Sequence, residues 1–316
     1  MLVVANFHYI RETFQSDYPS IFGVTPRQFK NQLDVLCEIG EFVSADSLIS
    51  GKAIKKDAIQ FMITFDDGLK EQYEMAAPIL NQLGIPFVFF VNTINTSEKQ
   101  ISLVHQIHLL RSRISSTELL NNLPVDKISL TTSDKELAVV NYAYDDPDTA
   151  YLKFILNFKM SIDEQGAVVN KLFTQYFDVE KVHAQLYMTP DQIIELNNQG
   201  YIGSHGHQHI PYGLYPASFI HKEFERSQEI FKADLGGGVA TISYPYGSFE
   251  ASLNTEAAAR QNGFKLGFSM ERAINENLDS PYMLGRFDCN DLPGGKSPFL
   301  HNKNDILKTV SSQWYR

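Results

Sequence analysis

A chain of 316 residues that is 43% hydrophobic and 20% charged can bury a sizeable core, which excludes disordered and fibrous classes. A formal net charge of −10 and a pI near 5.4, without any long run of Lys or Arg, argue against nucleic acid as a partner. Cys37 and Cys289 form no CxxC pair, no stretch reaches the roughly 20 apolar residues of a membrane span, and the first residues lack a basic n-region, so a cytoplasmic protein with no thiolate metal site and no integral membrane segment is expected.

Short apolar runs alternate with helical segments along the chain. Residues 3–7 read as a buried strand. Thr25-Pro26-Arg27-Gln28 has the form of a capping box with Pro at the first helical position, and Phe29, Leu33, Leu36 and Cys37 share one helical face before Gly40. Residues 58–65 form a second strand, 70–83 a helix ended by Gly84-Ile85-Pro86, and 87–91 a third strand. A second capping box, Thr189-Pro190-Asp191-Gln192, opens a helix that stops at Gly200 before a strand at 201–203. Strands at 240–244, 265–269 and 283–287 follow, with helices near 218–233 and 253–261. This rhythm predicts an α/β chain of parallel βαβ units, closed into a barrel or left as an open doubly wound sheet. Residues 93–188 differ: a capping box at 97–100, apolar residues at helical spacing from Ile101 to Ile114, helices at 150–158 and 166–177, and a polar loop at 129–134 suggest a helical insertion.

Asp66 and Asp67, in Ile63-Thr64-Phe65-Asp66-Asp67-Gly68, sit at the end of an apolar strand, the edge where α/β folds bind ligands. Adjacent side chains diverge there, so one carboxylate can ligate a metal while the other faces a reacting group; an Asx turn capping the next helix is the alternative. His205 and His209, in Gly203-Ser204-His205-Gly206-His207-Gln208-His209, are four apart, so in a helical turn both imidazoles project from one side while His207 points elsewhere. A His-rich loop can also be merely solvated. Two imidazoles and one carboxylate make a catalytic site for zinc or a similar divalent ion, and a spare carboxylate can act as general base.

Thr64-Phe65-Asp66-Asp67-Gly68, His205 with His209, and Tyr244-Pro245-Tyr246-Gly247 resemble, in order, successive motifs of the polysaccharide deacetylase family, the NodB-type carbohydrate esterases of family 4. The resemblance spans roughly residues 1–92 and 189–295. It implies a distorted (β/α) barrel with fewer than eight regular strands, built from 1–92 and 189–316 and interrupted by the helical insertion 93–188. It also implies Asp66 as the catalytic base, Asp67, His205 and His209 as metal ligands, and the Tyr246 N–H as an oxyanion donor. Two departures stand out. Many members carry an Arg two residues before the Pro of the third motif, where this chain has Ser243; Arg286, at the end of a later strand, is expected to orient Asp66 instead. The family's Leu-x-His acid motif is absent, leaving His301 and His8 as candidates for the general acid. Substrate contacts are expected from His8, Tyr212, Tyr244, Tyr215 and Phe249.

The expected activity is metal-dependent removal of an N-acyl group, acetyl or alternatively formyl, from an amino sugar serving as a precursor in surface polysaccharide synthesis. Zn²⁺ is the expected ion, with Co²⁺, Ni²⁺, Mn²⁺ and Fe²⁺ compatible with the same ligands. A catalytically silent glycan- or metal-binding barrel and a non-haem iron oxygenase are the competing readings. The oxygenase fits poorly, because its acid follows closely on its first His and its scaffold is antiparallel.

Overall fold

The computed structural model describes residues 1–18, 20–51, 55, 58–124, 126, 129–142, 145–296, 300 and 302–308. The strand β1 (Leu2–Phe7) is buried along its whole length, and all of it but Asn6 is apolar, as a strand covered on both faces requires. It belongs to a sheet with β2 (Glu41–Phe42), β3 (Gln60–Phe65), β4 (Phe87–Val91), β5 (Ile202–Ser204), β6 (Thr241–Ser243), β7 (Leu266–Phe268) and β8 (Phe287–Asp288). Every pairing in it is parallel, in the order β8-β1-β3-β4-β5-β6-β7, with β2 beside the start of β3.

The sheet curls. Although β4 and β7 are not neighbours, the rings of Phe90 and Phe268 lie 5.5 Å apart. Leu2, Val4, Met62, Val88, Phe90, Leu266, Phe268 and Leu284 form one interior cluster. The strand expected at 283–287 pairs only in part, because this segment crosses between the two edges of the sheet. Leu284 bridges Phe268 on one edge, and β8 pairs Ala5 with Phe287 and Asn6 with Asp288 on the other. The result is the distorted barrel that the motifs implied.

Strand periodicity then fixes two layers inside the barrel. Alternate residues of β1 and β3 point inward. Past the apolar layer, the next inward positions are Asn6 and Thr64, which are register partners, followed by Asp66. The opposite faces carry Phe7 and Phe65, which pack on Phe29 of the helix Pro26–Ile39 with ring separations of 4.8 and 5.7 Å. A polar layer is thus held at the C-terminal end of the barrel, above a packed apolar one.

The capping boxes at Thr25 and Thr189 form as the spacing predicts. Two other expectations are corrected. Ser97 opens no helix; it ends Thr93–Ser97, and its hydroxyl donates to the Thr93 carbonyl. The polar loop expected at 129–134 is largely a helix start, since Thr131 caps Thr132–Asn141 in a reciprocal box with Asp134. The chain divides into two compact units. One holds the described residues of Met1–Thr13, Gly23–Gln100 and His183–Arg316; the other holds those of Phe14–Phe22 and Ile101–Val182, including the helices Leu103–Arg113, Pro147–Phe158 and Ile162–Tyr176. No helix among the described residues is long and apolar enough to cross a membrane.

Candidate active site

Asp66 leaves the end of β3 into the barrel mouth and is 2% exposed. Arg286 meets it side by side: Nη1 donates to Oδ1 at 2.9 Å and Nη2 to Oδ2 at 2.8 Å. The remaining N–H groups of this fully buried guanidinium are also engaged. Nε donates to the Ser269 carbonyl at 2.8 Å, Nη1 to Asn6 Oδ1 at 2.8 Å, and Nη2 to Ser243 Oγ at 2.7 Å. A fork of this kind is available to Arg and not to Lys. Ser243, which stands where the resemblance leads one to expect an Arg, thus receives with its hydroxyl the guanidinium of Arg286.

Asn6 completes the cradle by donating from Nδ2 to Asp66 Oδ2 at 3.0 Å while its Oδ1 accepts from Thr64 and Arg286. Reading the sequence for chemistry missed Asn6. The available signal was a lone amide in an otherwise apolar strand. Burial pushes the Asp66 carboxyl up, but the charge of Arg286, the nearby imidazole of His205, the hydrogen bonds from Arg286 and the proximity of His8 outweigh it, so the net shift is far below the usual carboxylate range. Asp66 is ionised throughout the neutral range.

Asp67, His205 and His209 are all buried, and one ligating atom from each lies within 4.8 Å of the others. Asp67 Oδ1 is 3.6 Å from His205 Nε2 and 3.2 Å from His209 Nε2. The helical turn expected to align the two histidines is absent. Gly206 (φ 77°) and His209 (φ 54°) fold the segment back instead, and Asp67 (φ 80°) and Tyr246 (φ 63°) share the left-handed region. Non-glycine residues held there mark functional loops more often than chance. Gly206 has no alternative, since a Cβ would sit 1.7 Å from the Tyr212 hydroxyl.

The segment after β4 props this loop. Asn92 Nδ2 donates to the His205 carbonyl at 2.6 Å, and Thr93 N–H donates to the Gly206 carbonyl. His207 turns away, its Nδ1 2.9 Å from Thr93 Oγ1 and its Nε2 3.4 Å from Glu98.

His205 donates from Nδ1 to the Ser243 carbonyl at 2.9 Å, which fixes the tautomer and leaves Nε2 as an electron-pair donor toward Asp67. Burial brings its pKa down to about 4, with His209 adding to the effect and Asp66, Asp67 and the Ser243 carbonyl opposing it. A neutral imidazole with a fixed tautomer, a second imidazole and a carboxylate suit a divalent cation.

His8 follows β1, is about a third exposed, and lies with Nε2 3.7 Å from Asp66 Oδ2. Gln72 ties the two strand ends together by donating to the carbonyls of Asp66 (2.6 Å) and His8 (2.9 Å). Tyr246 is exposed beside His209, with ring centroids 5.5 Å apart. The expectation that Tyr212 and Tyr244 meet the sugar is corrected. Both are buried around Phe224, and the Tyr244 hydroxyl donates to the Tyr282 carbonyl at 2.8 Å. Their rings support the second and third motif loops from beneath. Tyr215 stacks on Phe219 at 4.6 Å, and Phe249 is half-buried. His301 lies outside the described residues.

The polysaccharide deacetylase family model matches residues 53–116 and 165–267, more than half of the sequence, and the chain belongs to that family. Its fold matches IcaB from Ammonifex degensii, with a TM-score of 0.54 and 20% identity, covering 90% of each chain. It also matches the Streptococcus pyogenes deacetylase PplD, solved in complex with acetate (TM-score 0.57, 15% identity, 98% of each chain). A third match is the BpsB deacetylase domain from Bordetella bronchiseptica (TM-score 0.51, 15% identity, 91% of this chain and 95% of that one). No curated protein matches the sequence.

Proposed function

We propose that this deacetylase hydrolyses the N-acyl group, acetyl by preference, of an amino sugar used in polysaccharide synthesis. Asp67, His205 and His209 would hold a divalent cation, Zn²⁺ first among the candidates, which when bound supplies Lewis-acid activation of water and of the amide carbonyl. The observation that carries the reading is Asp66: a buried, ionised carboxylate beside the ligand cluster, held by Arg286 and not spent as a ligand. It takes the proton of the attacking water. The Tyr246 N–H receives the negative charge that develops on the carbonyl oxygen.

His8 is the general acid in this scheme. It is reachable from solvent and approaches Asp66 closely enough to return a proton to the leaving amine. The buried Tyr212 and Tyr244 are left out of substrate contact, which falls to His8 and the exposed Tyr246.

The test is acetate and formate release from a panel of N-acyl sugars, with and without chelator, for wild type and Asp66→Asn, with elemental analysis of the purified protein. Release that needs the metal and is lost in Asp66→Asn is expected. Metal uptake without release from any substrate, and no difference between the two proteins, would instead identify a silent binding barrel.

A further inference from the structure

The helical unit contains a cleft of about 290 Å³ that takes no part in the chemistry described above. Tyr18, Phe22, Arg111, Asp145, Asp146 and Asp148 line it, all within that unit. Tyr18 and Phe22, on the excursion 14–22, are 45% and 50% exposed. The excursion is anchored to the helix Leu103–Arg113 by Ser20 Oγ, which donates to the His108 carbonyl at 2.6 Å. Tyr18 and Phe22 thus give a polar cleft exposed aromatic surface, the kind on which ring-shaped or cationic ligands pack.

The polar wall narrows the choice. Arg111 lies in the last turn of the helix Leu103–Arg113, and its Nε is buried with no hydrogen-bond partner among the described residues. A buried N–H without an acceptor costs free energy that a ligand oxygen recovers. The three carboxylates are positioned by neighbours: Asp145 pairs with Lys153, Asp146 caps the helix Pro147–Phe158 through Thr149, and Asp148 accepts from the Thr117 hydroxyl. Hydrogen bonds from the Thr149 side chain and backbone hold the Asp146 carboxyl below its ordinary value, so it remains charged. With Lys153 engaged by Asp145, Arg111 faces the carboxylates of Asp146 and Asp148, and the net negative balance that remains disfavours phosphate, nucleotides and uronic acids. The same balance attracts an ammonium group.

We infer that this cleft is a second glycan site, binding amino-sugar units through stacking on Tyr18 and Phe22 and favouring free-amine units, the deacetylated form, over N-acylated ones. The choice of sugar rests on the function proposed above; the cleft and its charge do not. The free amine lies among the carboxylates and aromatic faces, while Arg111 donates to sugar oxygens.

The test is calorimetric titration at pH 6 of the full chain with a glucosamine tetramer and with its N-acetylated counterpart. Wild type and Asp66→Asn are expected to bind the glucosamine tetramer equally and to prefer it. Tyr18→Ala combined with Phe22→Ala is expected to weaken binding about tenfold. Asp148→Asn, a second variant independent of the rings, is expected to reduce the preference for the free-amine tetramer and its salt dependence. Absence of binding, preference for the N-acetylated tetramer, or unchanged titrations in both variants would overturn the inference. Loss of binding in the variants without acyl release from any substrate would sink the deacetylase reading alone. Normal acyl release with unchanged titrations would sink the cleft alone.

Discussion

Every nitrogen of the Arg286 guanidinium has an oxygen partner, and two of those oxygens belong to Asp66. Arg286→Ala should therefore strand a buried carboxylate and cost about 3–5 kcal/mol in urea unfolding, whereas Arg286→Lys keeps a charge but loses the fork and should lower kcat about tenfold or more. The sign of the pH effect follows from the direction of the Asp66 shift. Its folded value is depressed, so its stabilisation is complete above the unfolded carboxylate's value, about 4, and is lost progressively as the pH falls from there toward the much lower folded value. Ser243→Arg alone should be inactive, because two guanidinium groups would compete for one carboxylate. Pairing it with Arg286→Ser should restore part of kcat, a coupling that a double-mutant cycle on acyl release would measure. Ser243 was legible in the sequence as a departure from the family pattern. That its hydroxyl serves Arg286 and its carbonyl serves His205 could not be read there, because both contacts join segments distant in sequence.

The loop carrying His205 and His209 depends on backbone conformations that side-chain spacing does not encode. Helical spacing singled out the two histidines that the structure brings beside Asp67, but left-handed residues and not a helical turn bring them together. Gly206→Ala would combine a strained φ with a collision against Tyr212, and should cost more than about 2 kcal/mol of stability and abolish metal uptake, as read by unfolding and elemental analysis. The buried strands were the most legible elements, because continuous apolar runs such as Phe87–Val91 have few alternatives. The segment 283–287 was least legible among the barrel elements, because its role is to leave one edge of the sheet and join the other.

At the scale of the molecule, one buried imidazole of the proposed metal site ties stability to pH. In chelated protein His205 has a folded value of about 4 against an ordinary 6.5, so the folded state resists a proton that the unfolded chain accepts. Its contribution is whole above pH 6.5 and is lost as the pH falls toward 4, an effect of about 3 kcal/mol that urea titrations of the chelated protein should show and His205→Gln should flatten. Zinc at a hundred times its Kd should raise stability by about 2.7 kcal/mol over that baseline. The division into two units was only partly legible. The helical stretch announces itself by composition, but nothing in residues 14–22 signals that this short excursion belongs with helices more than eighty residues further along the chain.

The guanidinium that holds Asp66 comes from the segment that seams the barrel shut, and it is made late. Asp67, His205 and His209, the proposed ligands, have all left the ribosome well before Arg286 is translated. A nascent chain halted near residue 280 would possess a complete ligand set and could capture its ion, yet its Asp66 would lack the guanidinium that holds it. Under the proposed function, order of synthesis would separate loading from turnover, with water activation waiting until the first strand has found the last.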